Sequence, residues 1–80
     1  MEAYKQRMIS ELIELHNRYC AAVGAMLDEK IPRDDRELIR EQARHMMNYE
    51  RVLRQRMRRA GIDLHTIDTV MDYKMKWRFQ

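Results

Sequence analysis

A single proline separates two stretches of heptad-spaced apolar residues, and this arrangement governs what the chain can fold into. Before the break, Met8, Leu12, Leu15, Tyr19, Ala22 and Met26 recur at alternating steps of four and three. After it, Ile39, Gln42, Met46, Tyr49, Leu53, Arg56 and Ala60 step alternately by three and four. Such spacing gathers each set on one side of an α-helix. Pro32 has no N–H to donate and biases Ile31 away from helical geometry, so the chain turns there. Two helices of similar length joined by a short break form an antiparallel hairpin. With only two glycines and one proline in 80 residues, few other turns are available. The expectation is an all-α fold in one domain, 1–80.

The spacing predicts helices over about 2–29 and about 34–60. Asp34 reads as the second helix's N-cap, with Glu37 three residues on completing a capping box. Gly61 suits the position after the helix end, and Ile62 can fold back on the last turn. Asp63 or Thr66 then caps a short third helix, about 66–77, carrying Leu64, Ile67, Val70, Met71 and Met75. The first helix has a second apolar line, Ile9, Ile13, Cys20, Val23 and Leu27. One partner helix needs only one line, so the extra width calls for the third helix, another subunit or both. A homo-oligomer is therefore expected. Gly24, among Ala21, Ala22 and Ala25, either admits a closely packed helix or is a tolerated glycine near a helix end.

Charge is unevenly placed. The net charge is +3, yet residues 33–61 alone hold nine arginines, no lysine and five acids. Five of these arginines, Arg40, Arg44, Arg51, Arg54 and Arg58, fall on one outer line of the second helix, a track about 27 Å long at 1.5 Å per residue. Guanidinium is planar, permanently charged and shaped to hold phosphate or carboxylate through two N–H groups. The line is either an anion-binding surface or an ordinary solvated helix face, with Glu50 supporting Arg54 one turn away. Arg56 falls on the expected seam, either lining a pocket between subunits or reaching out past the hairpin's open end.

A second basic patch interleaves Lys74, Lys76 and Arg78 with Tyr73, Trp77 and Phe79. Such a tail stacks on bases or docks on protein. His16, Cys20 and His45 reach the same height of the hairpin, but the heptad positions place the two histidines at opposite edges, so no metal site is expected. Nor is catalysis: there is no glycine-rich phosphate loop, and Ser10, the one serine, has no evident base nearby. No cofactor is implied. One cysteine excludes an internal disulfide and fits a reducing, intracellular setting. Charged residues directly follow Met1, so no signal peptide is expected. No apolar run approaches the roughly 20 residues that span a bilayer, so no membrane association is expected.

Several stretches resemble a family of small helical-hairpin proteins of bacteriophages and prophages of gut and related bacteria. They are Tyr4-Lys5-Gln6-Arg7-Met8-Ile9-Ser10-Glu11, then Glu37-Leu38-Ile39-Arg40-Glu41-Gln42, then Met46, Tyr49, Leu53 and Arg56, and a Gly61-Ile62-Asp63 ending. The resemblance covers Tyr4 to Asp63, implies a hairpin fold and a phage or prophage origin, and supplies no catalytic residues. A place in the bacterial host's cytoplasm is expected. Three roles are open. By analogy with small phage proteins, one is a non-enzymatic binding protein that counters host defence, by sequestering a nucleotide signal or blocking a host protein. The others are direct nucleic-acid binding through the arginine face, and structural assembly as a helical oligomer.

Overall fold

The computed structural model describes the backbone of residues 2–78 and the side chains of residues 2–71. Three helices follow one another: α1 (Ala3–Met26), α2 (Arg33–Arg59) and α3 (Leu64–Arg78). Helices α1 and α2 pack along their length as the expected hairpin, and α3 joins them at the hairpin's open end.

The turn between α1 and α2 is held by its own backbone. Leu27 and Asp28 donate to the carbonyls of Gly24 and Ala25, and Ile31 donates to Asp28. The Asp28 carboxylate also accepts the Lys30 N–H at 3.0 Å, a local side-chain turn. The cap expected at Asp34 is not formed. Pro32 takes the N-cap position with ψ 146°, and its carbonyl accepts the Arg36 N–H. Asp34 and Asp35 fall inside the first turn. There they complement the positive helix end by charge instead of capping it. Proline's fixed φ makes it a ready entry to the helix.

The exit of α2 is a Schellman turn. Gly61 N–H reaches the Arg58 carbonyl and Ile62 N–H reaches back to the Met57 carbonyl, both at 3.0 Å. Gly61 takes φ 77°, a left-handed conformation that side chains with a Cβ disfavour. No such need exists at Gly24, where an added Cβ would meet nothing within 4 Å. Among the described residues, no close helix approach explains that glycine.

Asp63 caps α3. Its carboxylate accepts the His65 N–H and the Thr66 hydroxyl, each at 3.0 Å. The helix consequently starts at Leu64, two residues earlier than the spacing predicts. The Thr66 hydrogen bond, then the His65 N–H, hold the Asp63 carboxyl below its ordinary value. A depressed folded pKa gives stability that is present above the unfolded value and lost as pH falls through the folded one. Helix α3 should therefore loosen in acid below about pH 4. Asp63→Ala should expose the α3 amides several-fold more at pH 7 and remove this acid step, both read by hydrogen exchange.

Met8, Leu12, Leu53, Met57 and Met71 form the core, with Ile9, Ile13, Ala60, Ile62, Leu64 and Ile67 packed around it. Met8 and Leu12 confirm the first seam on α1, while Ile9 and Ile13 of its second line meet this core too. On α2 the covered line is Arg36, Ile39, Ala43, Met46, Glu50, Leu53, Met57 and Ala60. It keeps alternate members of the expected seam and replaces Gln42, Tyr49 and Arg56 by their following neighbours. Those three are exposed. The helix is rotated because α3 packs beside α2 and draws Met57 inward, which an arginine at that point would oppose.

Candidate anion-binding site

The rotation of α2 re-sorts its arginines. Arg40, Arg44, Arg51 and Arg58 remain exposed on the outer line. Arg40 lies 3.8 Å from Glu37, an exposed pair of the kind that contributes little. Arg44, Arg51 and Arg58 form no ion pair with any described residue. Arg54, expected on the same outer line, is instead largely covered, its side chain only 19% exposed. Arg56, expected on the seam, is exposed and lies on the other flank of α2, roughly 140° around the helix from the arginine line.

The two ends of the line differ. Around Arg40 and Arg44 a shallow groove is lined also by Asp34, Glu37, Leu38 and Glu41. Carboxylates there offset the guanidiniums. Toward the helix end, Arg51, Arg54 and Arg58 stand one turn apart, and the acids that approach them, Glu50 and Asp68, both contact Arg54. Among the described residues, Arg51 and Arg58 therefore stand at this end without an acid partner of their own. Arg56, Arg58 and Arg59 in the last turn also complement the negative end of the helix dipole.

Arg54 anchors a polar chain across three helices. Its two terminal nitrogens donate to Asp68 of α3 at 2.8 and 3.1 Å, a fork-on-fork pair. Its Nε donates to Glu50 at 3.4 Å. Glu50 in turn stands 3.5 Å from His16 Nδ1 of α1, and His16 Nε2 lies 3.7 Å from Cys20 Sγ. The hydrogen bond to Asp68 raises the Arg54 pKa above its ordinary value; burial opposes this, and the charges of Asp68 and Glu50 add to it. The i,i+4 pairing of Glu50 with Arg54 was visible in the spacing. The partnership with Asp68 was not, because it depends on how α3 lies against α2.

His45 is exposed, apart from the His16–Cys20 pair. Among the described residues no group of three or more His, Cys, Asp or Glu is arranged to hold a metal ion. No described helix is long and apolar enough to cross a membrane. The basic-aromatic patch, Tyr73, Lys74, Lys76, Trp77 and Arg78, lies outside the residues whose side chains are described.

Sequence reasoning missed Arg36. It sits on the covered line near the hairpin turn, and its Nε is buried with no hydrogen-bond partner among the described residues. Its spacing from Ile39 and Ala43 was the available signal.

Residues 2–59 match the family model described as Sequestin, a span that covers α1 and α2 and stops at the last residue of α2. No curated protein and no solved structure matches the chain.

Proposed function

The chain belongs to the Sequestin family, and from that premise we propose that it works by occupancy, binding a nucleotide-type anion and withholding it without chemical change. The family's name is consistent with a sequestering, binding role. The observation that carries the anion reading is the outer line of α2. There Arg51 and Arg58 are exposed, paired with no described acid, and flank Arg54 at steps of three and four. Guanidiniums so spaced can meet successive phosphate oxygens of one ligand.

A second copy of the chain belongs to the same proposal. Leu38, Tyr49 and Val52 leave an apolar strip of α2 about half exposed or more. In a phage setting, which the resemblance of the hairpin suggests, capture of this kind would remove a signalling nucleotide from host defence.

Native mass spectrometry of protein purified from bacterial cells tests this reading. The expected spectrum shows a defined multimer carrying a nucleotide-sized adduct, released intact on denaturation and absorbing near the nucleobase maximum. Protein that emerges bare, or a bound molecule recovered in chemically converted form, would overturn it.

A further inference from the structure

We propose that Asp68 is an internal stand-in for the ligand's anion, so that α3 acts as a displaceable strap over the middle of the arginine line. This rests on the reading of that line as an anion site.

The geometry is that of a ligand already in place. Arg54 gives both terminal nitrogens to the two oxygens of Asp68, at 2.8 and 3.1 Å. A phosphate uses the same two N–H directions. Glu50 takes the third, at 3.4 Å. Arg54 is thus filled from inside the molecule, while Arg51 and Arg58 on either side form no pair with a described residue. An anion that settles between those two meets a carboxylate of matching shape and charge on the central guanidinium. The two compete for Arg54.

The clasp is open to solvent, whereas the apolar hold of α3 is not. Asp68 itself is 43% exposed. The described apolar attachment of α3 to the core runs through Leu64, Ile67 and Met71, and the Arg54–Asp68 pair is its polar clasp. The family match ends at residue 59, so α3 stands outside the matched hairpin. Competition is reciprocal: whatever the clasp takes from anion affinity, the bound anion takes from the hold on α3.

The test uses the full chain and inorganic pyrophosphate as the probe. Calorimetry should show Asp68→Asn binding pyrophosphate roughly five-fold more tightly than wild type, the scale of one partly exposed ion pair. In the Arg54→Gln background the same change should have no effect. Hydrogen exchange of wild type should quicken in residues 64–71 when pyrophosphate is added, a readout that does not depend on how the variants fold. If Asp68→Asn binds no tighter while Arg51→Glu with Arg58→Glu removes binding, the strap is refuted and the anion site stands. Slower α3 exchange on binding would also refute it. If neither wild type nor Asp68→Asn binds pyrophosphate, the strap and the anion reading fall together.

Discussion

The double variant Arg51→Glu, Arg58→Glu should emerge from cells without the nucleotide that wild type retains, its affinity lowered by roughly 100-fold or more. Each change removes a charge-assisted hydrogen bond, a contribution of about 1.5–3 kcal/mol, and sets a repelling carboxylate in its place. Two such losses sum to about 3–6 kcal/mol, and every 1.4 kcal/mol is a factor of ten. Both side chains are exposed, so the helices should persist. Arg58→Glu places a negative charge in the last turn of α2, at a cost of about 0.3–1 kcal/mol through the helix dipole. Circular dichroism should therefore report unchanged helicity and a melting point only a few degrees lower. Lys30→Glu is the paired control: the same charge change at an exposed cation in the turn between α1 and α2, at the far end of the hairpin from Arg58. It should retain the nucleotide. Equal loss from Lys30→Glu would mean that overall charge, not the line, governs binding. Full retention by the double variant would remove the line from the site.

Leu12→Ala should cost about 3 kcal/mol of stability, the range found when a fully buried leucine is truncated and the cavity cannot close. Leu12 is 0% exposed and packs in the cluster of Met8, Leu53, Met57 and Met71, where all three helices meet. For a domain of this size, that loss lowers the melting point by roughly 12–24 °C. Leu27→Ala makes the same chemical change at a residue 76% exposed and should stay within about 0.5 kcal/mol of wild type. Thermal melts of both variants at one protein concentration separate the two cases. A mild effect at Leu12 would place the core elsewhere.

Much of this fold is written in the residue spacing. The α1 seam follows from its periodicity, and the second line beside it supplies Ile9 and Ile13 to the same core. The exit of α2 was equally plain, since Gly61 followed by Ile62 carries its own geometry. The α2 seam was harder. Positions 42 and 43, 49 and 50, and 56 and 57 form adjacent pairs, and each pair allows two heptad choices. Tyr49 is more apolar than Glu50 and argued for one choice; Met57 is more apolar than Arg56 and argued for the other. The position of α3 decides between them, and α3 is a long-range fact. Arg54 and Asp68 were obscure for the same reason: 14 residues separate them, and only the packing of α3 joins them. The cap at Asp34 was displaced because proline's fixed φ already served as the entry to α2.

The rotated seam leaves α2 with two unlike borders. One carries Arg44, Arg51 and Arg58; the other carries Leu38, Tyr49, Val52 and Arg56. Between them runs the strip packed on α1. On the packed side, the two borders are separated by a covered row of Ala43, Glu50, Leu53 and Met57. This helix can therefore be altered for what it grips without being altered for what it leans against, and inheritance can act on the two independently.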